Sequence, residues 1–335
     1  MTQTWRGDEE QGPHHPATDV AEAGKAGGVR PNAGSYHRRG VSGYAGNGGH
    51  PVRSGEKGRS HGMCALVARS VGEVGVLIDE ELRERHGIVV AFSQRGGGRS
   101  RAPFASLNLA AHVGDAPAAV DENRATFLSL LGIEQTLPRL TTAEQVHGRS
   151  IRVVSGAGVG LGAFAREGTP PPVPATDALV TTEAWAPLML CFADCVPVVL
   201  VAVAPVRGVA VVHAGWRGAL AGIAADAVQR LAAETGARPS DMLAYIGPHI
   251  GPCHYEVDEA LLSQFVNTFG TIAAAQGRLD LGAVVSESLN GVGVPLSSVC
   301  RAGVCTVERT DAFFSYRAEG LTGRHGALAC ILGDA

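Results

Sequence analysis

Ala186-Pro187-Leu188-Met189-Leu190-Cys191-Phe192-Ala193-Asp194-Cys195-Val196-Pro197-Val198-Val199-Leu200-Val201-Ala202-Val203-Ala204-Pro205 is the longest apolar run in the chain of 335 residues. Asp194 and Pro197 interrupt it, so it is a poor candidate for a continuous membrane-crossing helix, which needs about 20 apolar residues. It reads instead as two buried strands, 187–193 and 197–203, separated by a turn. Strands buried on both faces lack polar alternation, and such strands belong to sheets covered on each side by other layers.

Working outward, further Val/Ile/Leu-rich runs predict strands at 87–93, 150–155, 177–182, 207–213, 242–247 and 326–332, with a weaker one near 303–307. Amphipathic spacing predicts helices at 117–132, 216–235, 257–268 and 279–290. In the helix from Trp216, Leu220, Ile223, Ala224, Val228 and Leu231 form one buried face, and Gly236 stops it. Strands alternating with helices give an α/β (α+β) single domain over 63–335. The Gly/Pro-rich segment 156–174 is expected as a surface insertion. Its glycines lack G-x-G-x-x-G spacing and run into Pro170-Pro171-Pro172 rather than a helix, so no dinucleotide fingerprint is supported.

Residues 1–62 contain fourteen glycines and almost no Val, Ile, Leu or Phe. They cannot bury enough apolar surface to offset ordering, and a disordered tail is expected. Met63 opens the sustained apolar character, so a start there is the alternative.

Hydrophobic residues make up 45% and charged residues 18% of the chain, with net charge −4. These values exclude a collagen, a coiled coil and a mostly disordered chain. The tail holds eight Lys/Arg against six Asp/Glu, which leaves −6 on the remainder. No basic surface points to a nucleic-acid partner. The two lysines, Lys25 and Lys57, both lie in the tail. A Schiff-base lysine or the lysine of a phosphate loop therefore has no residue in the body to supply it, and bound anions must be held by Arg, backbone N–H groups or a metal. Seven cysteines, an odd number in a chain large enough to build its own core, predict reduced thiols in the cytoplasm. A monomer acting on small molecules, with no membrane partner, is expected.

Three segments place metal-type ligands at predicted strand ends: Glu144-Gln145-Val146-His147-Gly148, Phe192-Ala193-Asp194-Cys195-Val196-Pro197 and Val211-Val212-His213-Ala214-Gly215-Trp216-Arg217-Gly218. Each ligand is followed within three residues by Gly or Pro, the pattern of a site built on turns. His147, Cys195 and His213 form a two-imidazole, one-thiolate set that suits zinc and leaves a fourth position open. The free N–H groups of the helix after His213 predict an anion site, and Arg217 in its first turn, where the dipole disfavours a cation, predicts a phosphate or carboxylate clamp.

Further motifs occur in order: Ala105-Ser106-Leu107-Asn108-Leu109 with His112-Val113-Gly114-Asp115, Gln145-Val146-His147-Gly148, Thr176-Asp177-Ala178-Leu179, Ala193-Asp194-Cys195-Val196-Pro197, Val212 to Gly218, Ile246-Gly247-Pro248 to Cys253, and Phe314-Ser315-Tyr316-Arg317. From about Gly87 onward the chain resembles the bacterial purine nucleoside phosphorylase family once named laccase-domain or polyphenol-oxidase proteins. The resemblance implies a zinc-dependent enzyme that phosphorolyses adenosine, inosine, guanosine and methylthioadenosine, and deaminates adenosine in the same site. It implies metal ligands at His147, Cys195 and His213. The implied fold is a layered α/β/β/α sandwich with mixed sheets, similar to that of toxin deamidases using a Cys–His pair.

Nucleosides and phosphate are then the expected partners. Arg95 or Arg217 would neutralise phosphate, Asp194 would either carry protons or be a buried acid satisfied by backbone N–H groups, and Asn108, Gln145, Tyr316 and Arg317 would contact substrate, with Phe314 beside them. Cys253 and His254 sit in a turn that could reach the same pocket. The spacing of Cys300 and Cys305 is too weak for a metal site, and Cys191 and Cys330 read as core. Two other chemistries stay open: a hydrolase with Cys195 as nucleophile and His213 as base, and copper in place of zinc giving phenol oxidation. Ligand count argues against a multicopper centre, which uses about ten His, often as His-x-His. Only seven His follow residue 62, and none is so paired.

Overall fold

The structure is a computed structural model that describes residues 64–333. The expected tail over 1–62 and the alternative start at Met63 lie outside the described residues.

Period-two alternation decides the layering. In β7 (Val196–Ala202) and β8 (Gly208–Ala214), Val198, Leu200, Ala210 and Val212 pack into one core, while Val199, Val201, Val209 and Val211 pack into another. Successive strand residues face opposite ways, so a strand apolar at every position must lie between two hydrophobic layers. The sheet that contains them runs β12 (Val299–Arg301), β9 (Leu243–Ile246), β7, β8, β5 (Ala178–Thr181) and β4 (Ile151–Val153). It is mixed, with parallel pairing at the edges, β12 to β9 and β4 to β5.

The second sheet runs β1 (Val67–Val71), β2 (Val74–Ile78), β3 (Ile88–Ser93), β13 (His325–Ile331) and β6 (Leu188–Phe192), and is antiparallel throughout. Val90 and Phe92 of β3, Leu190 and Phe192 of β6, and Ala327 and Ala329 of β13 meet the mixed sheet in the central core. On the outer face of the mixed sheet lie α4 (Ile223–Thr235), α5 (Glu259–Phe269) and α6 (Leu281–Gly291). The antiparallel sheet carries α2 (Pro117–Leu130) on its own outer face through Phe127 and Leu128. The four layers α/β/β/α are those the resemblance implies, although only one of the two sheets is mixed. A short hairpin, β10 (Ala274–Ala275) and β11 (Arg278–Leu279), follows α5.

Four features depart from the sequence expectations. The β1–β2 hairpin was not expected because every residue of β1 is exposed and its apolar pattern is weak. The helix α1 (Glu80–His86) was likewise missed, although Asp79 caps it by accepting from Leu82 N–H at 2.9 Å and Gly87 closes it at φ 62°. The helix expected over 216–235 is two helices, α3 (Trp216–Leu220) and α4, because Gly222 takes φ 87° between them. The strand expected near 303–307 lies at 299–301, where Val299 to Arg301 can pair with β9, and Cys305 makes only an isolated bridge to His249.

The segment 156–174 is tied into the fold rather than laid over it. Arg124, 3% exposed, donates from Nε to the Leu109 carbonyl at 3.0 Å and from Nη1 to the carbonyls of Gly162 and Ala163 at 2.8 and 3.1 Å. Thr142 Oγ1 also donates to Gly162 at 3.0 Å, and Val173 bridges Ala143. A buried donor removed from three carbonyls leaves each to bear its desolvation cost. Arg124→Leu is therefore expected to destabilise the chain by about 3 kcal/mol, lower the urea midpoint and open 156–174 to limited proteolysis. An unchanged midpoint and cleavage pattern would refute this tie.

Candidate metal centre

The cluster grows from strand parity. Pro197 pairs with His213 across β7 and β8, which sets Cys195 on the same face as His213 and diagonal to it. Ala178 pairs with Val212 across β5 and β8, and His213 N–H bonds the Asp177 carbonyl at 2.7 Å, which sets Asp177 beside His213. All three residues share the parity of Leu179, Val199 and Val211, so they face the space between the sheets. The Phe192 ring of the opposite sheet lies 5.5 Å from the His213 ring.

His147 arrives from the loop before β4. Gln145 fixes that loop by using its amide as a backbone mimic: Oε1 accepts from Cys191 N–H at 2.9 Å and Nε2 donates to the Cys191 carbonyl at 2.8 Å. Asp177 fixes the far end, accepting from His147 N–H at 2.9 Å and Gly148 N–H at 2.8 Å. His147 sits at φ 59°, a left-handed conformation that these bonds hold in place.

The ligand atoms of His147, Cys195 and His213 all lie within 4.8 Å of one another, and the two imidazole centroids are 4.7 Å apart. Gly215 makes room for them. A Cβ there would stand 2.8 Å from His147 Cδ2 and 3.4 Å from Cys195 Sγ. His213 Nδ1–H donates to Asp177 Oδ1 at 2.8 Å, which leaves Nε2 for the cluster. A carboxylate on the far nitrogen of a ligating imidazole is the usual support of a zinc histidine. The donor set and its support fit a zinc-class dication.

Electrostatics in the cluster itself are polarised. Burial pushes the Asp177 carboxyl up, but the bonds from His213, Gly148 and His147 outweigh it and hold the group below the ordinary carboxylate range. Burial opposes charge on both partners at the centre, yet Cys195 and Asp177 raise His213 to about 9. His213 and His147 bring the Cys195 thiol down to about 6 against its burial. Both shifts favour a thiolate paired with an imidazolium.

The remaining expected site residues divide. Asp194 accepts from Thr306 Oγ1 at 2.6 Å and from Arg317 N–H at 2.7 Å, and burial pushes its carboxyl up. Both oxygens are engaged, and Asp194 holds the backbone of Arg317. Arg317 also donates to the Glu256 carbonyl at 3.1 Å and lies 5.4 Å over the Tyr255 ring. Tyr255 had no role in the sequence reading. Its phenol is pushed up by burial and then by the charges of Cys195 and Asp194, while Arg317 and Arg217 oppose the rise, so it lies among all four. Arg217 is exposed and stacks 4.4 Å over its own Trp216. The five residues of α3 are too few to give the anion site expected from a long helix there.

Arg95 and Asn108 have their polar groups engaged by partners other than the cluster. Arg95 donates to the carbonyls of Ala105 and Thr310 at 3.0 and 2.7 Å and pairs with Glu319 at 2.8 Å, over the Phe314 ring. Asn108 is 0% exposed and is consumed by Ala110, Asp115 and Arg324. Tyr316 is 40% exposed and its ring lies 5.8 Å from the Arg324 guanidinium.

The sequence model described as "Multi-copper polyphenol oxidoreductase laccase" matches residues 89–332. The chain belongs to this family. It is 39% identical over 250 residues to "Purine nucleoside phosphorylase YlmD" of Geobacillus stearothermophilus, covering 71% of this chain and 88% of that protein. A "Purine nucleoside phosphorylase" of Streptomyces coelicolor is 38% identical over 245 residues, with 71% and 93% covered. Among solved structures, that of YlmD from Geobacillus stearothermophilus superposes with a TM-score of 0.72 at 34% identity, covering 80% of this chain and all of that one. A Bacillus licheniformis protein titled "hypothetical protein YfiH" gives 0.70 at 34% identity, with 79% and 98% covered.

A lowered thiol pKa means that thiolate is present above it and is lost as pH falls through it. Alkylation of Cys195 in the metal-free chain should therefore rise with a midpoint near pH 6 instead of the ordinary thiol value of about 8.5. Asp177→Asn should move that midpoint upward and weaken zinc binding about 10–100-fold. A midpoint unmoved by Asp177→Asn would contradict the role given to the carboxylate.

Proposed function

We propose that the chain is a zinc-dependent purine nucleoside phosphorylase acting on adenosine, inosine, guanosine and methylthioadenosine, with adenosine deamination in the same site. The observation that carries this reading is the convergence of His147, Cys195 and His213 on one Asp177-braced centre, in a chain similar to proteins named purine nucleoside phosphorylase. Zinc held there would supply Lewis-acid polarisation of a substrate oxygen.

Phosphorolysis passes through a cation-like sugar, so phosphate must be held beside C1′ while the purine departs. Arg217 and Arg317, both on the side of Tyr255, are the guanidinium groups placed to bind the phosphate dianion. Asp194 acts on Arg317 through its backbone N–H and fixes where that side chain starts. The Tyr255 phenol, kept protonated, can donate a hydrogen bond to substrate. Tyr316 presents an exposed ring on which a purine can stack. Gln145 works at one remove by positioning the His147 loop, and Arg95 by pairing Glu319, which receives Ser315 N–H at 3.1 Å. Seven free cysteines support a reducing, cytoplasmic setting.

A second reading has one specific observation behind it. Asp177, His213 and Cys195 also form the acid–base–nucleophile order of a thiol hydrolase. The hydrogen bond of a second imidazole, His147, to the same sulfur favours a ligand over a nucleophile, which needs one base only.

Adenosine incubated with metal-replete chain, with and without phosphate, separates these readings. Adenine is expected only with phosphate and inosine in both arms, and chelation should remove both activities. Absence of turnover for every nucleoside would end the enzymatic assignment. Activity that survives chelation but not alkylation of Cys195 would transfer it to the hydrolase.

A further inference from the structure

A second group of soft ligands stands apart from the one described above. Cys253, His254 and Cys305 also bring their ligand atoms within 4.8 Å of one another. The first two come from the turn after Gly251-Pro252, and the third from the segment after β12, more than 50 residues later. His254 Nδ1 lies 3.7 Å from Cys305 Sγ and 3.8 Å from Glu308 Oε1. The Cys253 thiol is within hydrogen-bonding reach of both Cys305 and Glu308. Two sulfurs and a nitrogen therefore face one point, and the Glu308 carboxylate stands beside two of the three.

The spacing is close to what a tetrahedral ion needs. Zinc bonds of about 2.3 Å to sulfur and about 2.05 Å to nitrogen or oxygen set neighbouring ligands about 3.3–3.8 Å apart, with nitrogen–sulfur near 3.6 Å and nitrogen–oxygen near 3.4 Å. The nitrogen–sulfur separation of 3.7 Å and the nitrogen–oxygen separation of 3.8 Å are wider than these edges by a few tenths of an ångström at most, a small inward movement for side chains half exposed at His254 and Glu308. Two further features suit a metal thiolate. Gly251 N–H donates to Cys305 Sγ at 3.3 Å, and a Cβ on Gly251 would come 3.1 Å from Cys253 Sγ and 3.4 Å from Cys305 Cβ.

We propose that Cys253, His254, Cys305 and Glu308 form a second, structural zinc site. With four protein donors it has no open position, and its work is to staple the turn at 251–256 to the segment at 305–308. Both pieces support the first centre. Thr306 donates to Asp194, the Glu256 carbonyl receives Arg317, and Tyr255 lies beside Cys195. This site does not rest on the reading of the first centre as a phosphorylase.

Native mass spectrometry of the full chain, purified in reductant and supplied with zinc, tests it. Two zinc ions per chain are expected. Cys195→Ser should keep one, and the double variant Cys253→Ser, Cys305→Ser should also keep one. Because the double variant could fail to fold, cobalt titration of the Cys195→Ser chain gives an independent readout: a tetrahedral visible spectrum with a thiolate charge-transfer band is expected at one equivalent. One zinc in the wild-type chain, none in Cys195→Ser, or a cobalt spectrum without thiolate bands would overturn the proposal. A Cys253–Cys305 disulfide in the zinc-supplied, reduced protein would overturn it as well.

Discussion

The Asp177 carboxylate is the constraint on which the rest of the centre depends. Its two oxygens receive His213 Nδ1–H and the backbone N–H groups of His147 and Gly148, so a single side chain orients one imidazole and sets the backbone that carries the other. Asp177 is itself fixed because it opens β5, and its carbonyl takes the N–H of His213. A fully buried carboxylate would be costly if left unpaired, and here each donor also has a place in the centre.

The four-layer fold supplies what such a centre needs. Strands covered on both faces bring Cys195, His213 and Asp177 to one end of the mixed sheet on a common parity. The antiparallel sheet closes the other side with Phe192. Low polarity around a thiolate and imidazolium strengthens their attraction, which is why burial fails to neutralise either group. The rim is built differently, from loops held by polar ties such as Asp194 to Thr306 and Arg317, and carries the substrate contacts proposed above.

Strand parity made the core of this architecture legible in the amino-acid sequence. The apolar runs at 187–193, 197–203 and 207–213 announced strands between two layers, and the break between the first two and the polar end of the third announced Cys195 and His213. Asp177 carried the same signal, an acid at the head of the apolar strand Ala178–Thr181, but its partners, His213 and the His147 loop, are distant in sequence and it passed without a role. Arg95 and Asn108 looked like binding groups by type. Only tertiary contacts reveal that their donors are already spent on carbonyls, on Glu319 and on Asp115. The break at Gly222 was hidden because a helical apolar pattern continues across it in Leu220, Ile223 and Ala224, whereas its positive φ is a backbone property. Cys305 could not be linked to Cys253 and His254 from spacing, since the pairing of 249 with 305 is long-range.

The central claim is most directly tested by anomalous diffraction at the zinc edge from crystals of the active, metal-replete protein soaked with phosphate. A peak bonded to His147, Cys195 and His213 together, with Asp177 still on His213 Nδ1 and phosphate on the open side near Arg217 and Arg317, is the predicted result. Crystals of catalytically competent protein with no peak between these three side chains would contradict it.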